Sequence, residues 1–147
     1  MAAKAAERFM SSELIESNRA PKPVGAYPHA RRVGGLLFLS GVGPRGRDSS
    51  AIPGVELDAD GNILSYDIEA QCRAVFENVR LVLEDAGSAW ENMVDVTVFL
   101  TNMKADFAAY NRLYAEYFGD VRPCRTTVEV NALPTPIAIE LKVIATI

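Results

Sequence analysis

The sequence is poor in metal-binding and redox-active residues: one histidine, His29, and two cysteines, Cys72 and Cys124, in 147 residues. The cysteines form no CxxC pair, and one histidine adds too little soft ligand for a recognisable zinc site, so no metal is expected. Both cysteines read as buried, reduced thiols of a cytosolic protein. Basic charge is also short, with 15 Lys+Arg against 19 Asp+Glu and a formal charge of −4. That balance argues against a broad electrostatic footprint for nucleic acid. The lack of a histidine pair and of a basic, aromatic-interleaved patch argues against RNA-directed chemistry. No apolar run approaches the ~20 residues of a membrane span. The segment from Met1 to Pro23 has no apolar h-region, and its Glu7, Glu13 and Glu16 are unusual in a transit peptide. A soluble, cytoplasmic protein is expected.

What is present is a globular composition, 49% hydrophobic and 23% charged, sufficient for one core. The expected organisation is an N-terminal arm, residues 1–20, followed by a single domain over 21–147. The arm reads either as a short amphipathic helix presenting Phe9, Met10, Leu14 and Ile15, or as a frayed segment ending at Pro21 and Pro23. "GGLLFLSGVG" is a glycine-bounded apolar run, the pattern of a buried strand, and "AYPHARRV" can pair with it through a Gly34-Gly35 turn. "GPRGRDSSAIPGVELDADGNILS", rich in Gly, Pro, Asp and Ser, reads as an extended surface loop long enough to suspect a function.

From Asp67 to Gly87 the apolar residues Ile68, Cys72, Val75, Phe76, Val79, Val82, Leu83 and Ala86 follow helical spacing, with Gly87 suited to end the helix. "MVDVTVFLT" reads as a strand with Val94, Val96, Val98 and Leu100 on one face. A second helix is expected from about Ala105 to Phe118, where Phe107, Tyr110, Tyr114, Tyr117 and Phe118 form an aromatic stripe that reads as core packing. Two strands close the chain. The order suits an α+β fold, one sheet with two helices on a single face.

Strand side chains alternate between faces. In "RTTVEV", taking Thr126, Val128 and Val130 as the inward set leaves Arg125, Thr127 and Glu129 outward. In "IAIELKVIATI", an inward set of Ile137, Ile139, Leu141 and Val143 leaves Ala138, Glu140, Lys142 and Ile144 outward. Arg125 and Glu140 are thus expected to share the face away from the helices. An exposed ion pair between them is one reading. The Ala, Val and Ile content of that face favours cover by another subunit.

The stretches "PVGAYPHA", "LLFLSGVGP", "NMVDVTVFLTNMKADFAAYNRLYAEYF" and "RPCRTTVEVNALPTPIAIELKVIA" together resemble the Rid family, the YjgF-like reactive intermediate deaminases, over Pro21 to the C-terminus. The resemblance implies a chorismate-mutase-like fold with a mixed sheet, a homotrimer that could pair into a hexamer, and sites in clefts between subunits. It also implies cofactor-independent hydrolysis of an enamine or imine to a carbonyl compound and ammonia, a reaction of the C–N hydrolase class. Because a 2-imino acid is already electrophilic at carbon, the protein has to fix its carboxylate, position water and assist proton transfer.

Arg125 matches the family's arginine, whose planar fork can hold a carboxylate. Glu140 matches its glutamate, assigned to the attacking water and the departing ammonia. Tyr27, in "PVGAY", matches a tyrosine that can hydrogen-bond the developing amino alcohol or close the cleft. Gly41 and the adjoining Val42, in "LSGVG", match a segment whose backbone can approach the substrate closely. Asn111 matches a position near the cleft, with a helix-surface amide as the alternative. Thr127 departs from the cysteine found in many imine-hydrolysing relatives. Its hydroxyl can bond a substrate, but thiol chemistry does not carry over, and Cys124 belongs to the other strand face.

The RTT–VEV pattern, "YPHARR", the enlarged loop and the N-terminal arm most resemble the 2-aminomuconate deaminases of bacterial aromatic degradation, which release ammonia and 4-oxalocrotonate or its 2-hydroxymuconate enol. A substrate with two carboxylates needs a second cation, and Arg45, just beyond "SGVGP", is the candidate, with Arg47, Arg31 and Arg32 near by; a solvated loop charge is the alternative. A broad 2-imino acid deaminase acting on 2-iminopropanoate or 2-iminobutanoate is the second reading. A ligand-binding or RNA-directed protein is the third.

Overall fold

A computed structural model describes residues 11–48 and 51–147. Six strands form one mixed sheet: β1 (Ser12–Ile15), β2 (Ala30–Val33), β3 (Leu36–Leu39), β6 (Met93–Leu100), β7 (Cys124–Glu129) and β8 (Ile139–Thr146), in the order β1-β2-β3-β8-β6-β7. All neighbours run antiparallel except β6 and β7, which are parallel because α2 (Met103–Phe118) carries the chain back between them. α1 (Ile68–Asp85) is the other helix of the layer. The core between the helices and the sheet includes Leu37, Leu39, Val75, Phe76, Val79, Val96, Val98, Leu100, Tyr110, Leu141 and Val143, all with side chains fully shielded from solvent.

Local chemistry sets the helix limits. Asp67 caps α1 by accepting from the N–H groups of Glu69 and Ala70 at 3.0 and 3.3 Å. Gly87, at φ 78°, ends it with N–H bonds from Gly87 to Glu84 and from Ser88 to Leu83, satisfying carbonyls the helix leaves free. Asn102 caps α2 through the N–H of Ala105. The expected hairpin turns at Gly34-Gly35, with Gly34 at φ 60°.

The structure corrects several expectations. Residues 12–15 are neither a helix nor a loose arm: they form the edge strand β1, paired in register with β2. Phe9 and Met10 lie outside the described residues. The presumed 43–65 loop contains a separate hairpin, β4 (Val55–Leu57) with β5 (Ile63–Tyr66). Asp58 builds its turn by accepting from the N–H groups of Asp60 and Asn62, both at 2.9 Å. These short strands carry mostly exposed side chains, so no hydrophobic alternation marks them. In β6 the register shifts between Met93 and Asp95; Met93 enters the core in place of Val94, which is 45% exposed. Cys72 is buried as expected, whereas Cys124 is exposed. Among the described residues no helix is long and apolar enough to cross a membrane.

Candidate active site

The main correction concerns the face of β7. Arg125 lies opposite Val96 and Thr127 opposite Val98, and both valines are wholly buried beneath the helices. Arg125, Thr127 and Glu129 therefore stand on the helix face, with Cys124, Thr126 and Val128 on the open one. The period of two was right and its phase was inverted. β7 is an edge strand whose two faces are about equally polar, and what covers its inner side is not aliphatic. Tyr110 and Tyr114 of α2 lay their rings beside Arg125, which sits 5.5 and 4.7 Å from the two centroids.

The rest of this cluster fixes the guanidinium. Its Nη1 donates to Asn111 Oδ1 at 2.8 Å. The Tyr110 hydroxyl meets Thr127 Oγ1 at 2.9 Å, and burial pushes that phenol's titration upward. Asn111, itself exposed on α2, thus bonds the guanidinium. The aromatic stripe is mainly core, as expected of Tyr110, Tyr114 and Phe118, although Phe107 is 38% exposed. Sequence reasoning missed that the same tyrosines form the arginine's cradle; their i, i+4 spacing on either side of Asn111 was the available signal.

A second cluster lies elsewhere on the chain. Tyr27, Gly41, Val42, Arg45 and Glu140 line one cleft, together with Lys22, His29, Pro134, Thr135 and Ile137. Val42 is held there by paired backbone bonds with Leu141, at 2.8 and 2.9 Å. A Cβ on Gly41 would lie 3.0–3.2 Å from the carboxyl atoms of Glu140, so the glycine lets that carboxylate lie against the backbone. Glu140 has no hydrogen-bond or ion-pair partner among the described residues, and burial raises its pKa above the usual carboxylate value. Tyr27 is 42% exposed and accepts the Val24 N–H on its hydroxyl at 3.2 Å. Arg45 donates to the Lys22 carbonyl at 2.7 Å, and its own carbonyl accepts from Asn78. Arg47 is engaged with the backbone of Ser17 and Ala20, and Arg32 with the Gly34 carbonyl. Arg31, paired in register with Phe38, belongs to the open face.

The candidate residues thus fall into two groups: Arg125, Asn111 and Thr127 on the helix side of β7, and Tyr27, Gly41, Val42, Arg45 and Glu140 around the cleft. Arg125 is level with Val96 and Glu140 with Phe99, on strands flanking β6. Two strand spacings and three residues of rise separate their backbones by roughly 14 Å, with side chains on opposite faces. No ion pair can join them within one chain. The cavity volume of the cleft is about 60 Å³, below the roughly 300 Å³ at which small-molecule sites begin.

Residues 17–147 match the family model described as endoribonuclease L-PSP. The chain is 38% identical over 136 residues to a RutC family protein of Pyrococcus abyssi, covering 92% of this chain and 98% of that one. It is 33% identical to Reactive Intermediate Deaminase A of Arabidopsis thaliana, covering 94% of this chain and 67% of the relative. Among solved structures, E. coli TdcF with bound serine superposes with a TM-score of 0.78 at 30% identity, covering 92% of this chain and 98% of that one.

Proposed function

The chain belongs to the endoribonuclease L-PSP family, the Rid (RutC/YjgF) proteins, and on that premise we propose that it is a cofactor-independent deaminase. It hydrolyses an enamine or imine to a carbonyl compound and ammonia. The observation that carries this reading is Glu140: a part-buried carboxyl without a cationic partner among the described residues, laid over Gly41 in a cleft with Tyr27. A structural ion pair would have a partner; a proton carrier needs a free carboxyl with a raised pKa.

The active unit is a homotrimer, able to pair into a hexamer, in which Arg125 of one subunit faces the cleft of its neighbour. Two features support it: the separation of the two groups of candidate residues, and the apolar residues exposed on the open face of the sheet, among them Leu36 and Val128. In the assembled site Arg125 holds the substrate's 1-carboxylate. Glu140 takes a proton from the attacking water as oxygen bonds to the imine carbon. It passes that proton to nitrogen, giving the amino alcohol, and then moves the hydroxyl proton to nitrogen as the C–N bond breaks, leaving the carbonyl compound and ammonia. Tyr27 and Thr127 hydrogen-bond the amino alcohol between these steps.

Within this class the substrate is 2-aminomuconate, converted to 4-oxalocrotonate or its 2-hydroxymuconate enol in aromatic degradation, in the cytoplasm. Arg45, at the rim of the cleft holding Glu140, meets the distal carboxylate. Ammonia release from freshly generated 2-aminomuconate and from 2-iminopropanoate, for wild type and Arg125→Ala, tests the reading. Turnover of the dicarboxylate, lost in the variant, is expected. Preference for the small imine makes the protein a broad 2-imino acid deaminase, and activity on neither refutes deamination.

A further inference from the structure

The cleft wall from Ala20 to Val24 has no regular secondary structure; it is fixed by side chains gathered on the turn before it. Ser17 Oγ donates to Asp85 Oδ2 at 2.6 Å, at the end of α1, and accepts the N–H groups of Arg19 and Ala20 at 3.2 and 3.0 Å. Arg19 holds the other oxygen of Asp85 through Nε and Nη2, at 2.9 and 2.6 Å. Arg47 donates to the carbonyls of Ser17 and Ala20 at 2.7 and 3.0 Å. His29, 8% exposed, spans the segment: its Nδ1 lies 3.0 Å from the Ser17 amide nitrogen and its Nε2 2.8 Å from the Pro21 carbonyl oxygen. An amide N–H only donates and a carbonyl only accepts, so both contacts are satisfied by the neutral ring with its proton on Nε2.

The same Nδ1 is 3.2 Å from Glu16 Oε2. With Nδ1 unprotonated that contact sets two acceptors face to face. A proton on Nδ1 reverses the arrangement: Ser17 N–H loses its acceptor and Glu16 gains a charge-assisted donor. One proton therefore selects between two partners. Asp85 attracts the ring electrostatically, but among the described residues no charged side chain other than Glu16 offers it a hydrogen bond. Asp85 is engaged by Arg19 and Ser17, Arg47 by backbone carbonyls, and Lys22, Arg45 and Glu140 belong to the cleft.

We propose that His29 is a positioning residue for substrate binding: neutral, it ties the Ser17 amide and the Pro21 carbonyl at the two ends of the turn that leads into the cleft wall, and protonated, it keeps the Pro21 carbonyl but releases the Ser17 amide in exchange for Glu16. This rests on the reading of the cleft as the substrate site. It adds a loss of affinity on acidification that is separate from the chemistry of Glu140.

The chain has one histidine, so its ring can be followed alone. Nitrogen-resolved NMR at pH 8 should place the proton on Nε2, and the Ser17 amide resonance should move with the ring's own midpoint on acidification. On acidification from pH 8, KM should rise about fivefold in wild type and less than about twofold in His29→Gln. Any fall in kcat arising at Glu140 should remain in both. In Glu16→Gln the Ser17 transition should shift to lower pH, because the protonated ring has lost its partner. A proton on Nδ1 at pH 8, a Ser17 amide indifferent to the ring, an unmoved midpoint in Glu16→Gln, or the same KM profile in His29→Gln would each overturn the proposal. If no imine is turned over, the deaminase reading falls while the NMR measurements still decide the role of His29.

Discussion

Because Arg125 and Glu140 leave opposite faces of the sheet, two inactive variants should restore each other. Arg125→Ala keeps the Glu140 cleft intact, and Glu140→Gln keeps the arginine and its tyrosine cradle. Each pure variant should retain less than about 1% of turnover, having lost the carboxylate anchor or the proton carrier. In the proposed ring of three, each site would combine the cleft of one subunit with the arginine of the next. When the variants are mixed randomly in equal amounts, a site is whole only if its cleft comes from the first variant and its arginine from the second. That happens in about one site in four, and every mixed trimer contains one such site whatever its composition. Co-expression with two affinity tags, or refolding from a mixed denatured pool, followed by ammonia release should therefore give about 25% of wild-type activity per chain. It should rise and fall with the product of the two variant fractions. Activity no higher than that of the pure variants would refute the composite site.

Replacing Gly41 with alanine would set a methyl 3.0–3.2 Å from the Glu140 carboxyl. Only the end of a flexible side chain has to yield, so turnover should fall about 10- to 100-fold through misplacement while Tm moves by less than about 2 °C, as calorimetry can show. Glu140→Gln should raise Tm, and more at pH 8 than at pH 4. Since burial raises the folded carboxyl's pKa, stability falls as pH rises through the unfolded value and stays lower once the folded group has ionised; the amide escapes that loss. Tyr66 donates to the buried Asp106 at 2.6 Å, and burial first of all pushes the phenol up to about 12, keeping it a donor at pH 8. Tyr66→Phe should cost about 1–3 kcal/mol in urea denaturation by leaving a buried carboxylate unpaired. That cost should shrink at acid pH, where the carboxyl, itself raised by burial, takes up a proton. Arg45→Ala should raise KM for 2-aminomuconate more than for 2-iminopropanoate; equal effects would remove Arg45 from the site.

The elements legible beforehand were those whose burial is one-sided and periodic. α1 announced itself through eight apolar positions at helical spacing, with Asp67 and Gly87 at its ends, and all of these took their expected places. β8 was read with the right residues inward because its inner set is aliphatic throughout. β1 and the β4–β5 hairpin were missed because their side chains are largely solvated, and a strand whose faces do not differ in environment has no period to read. Of the site, the cleft residues Tyr27, Gly41 and Glu140 were identified through resemblance and do lie together. Lys22 and His29 were not singled out as lining residues, since a lone lysine and a lone histidine carry no pattern.

The sequence by itself determined the α+β class, both helices, the second begun two residues late at Ala105 rather than Met103, and the inward residues of the closing strand, because hydrophobic periodicity and capping groups act over a few neighbouring positions. The tertiary structure decided the phase of β7, and with it that Arg125 rests on Tyr110 and Tyr114 while Glu140 lies over Gly41. Alternation assigns side chains to two faces, but only the partner that covers a face settles which is inside. For an edge strand with polar residues on both sides, that partner is the aromatic helix that precedes it.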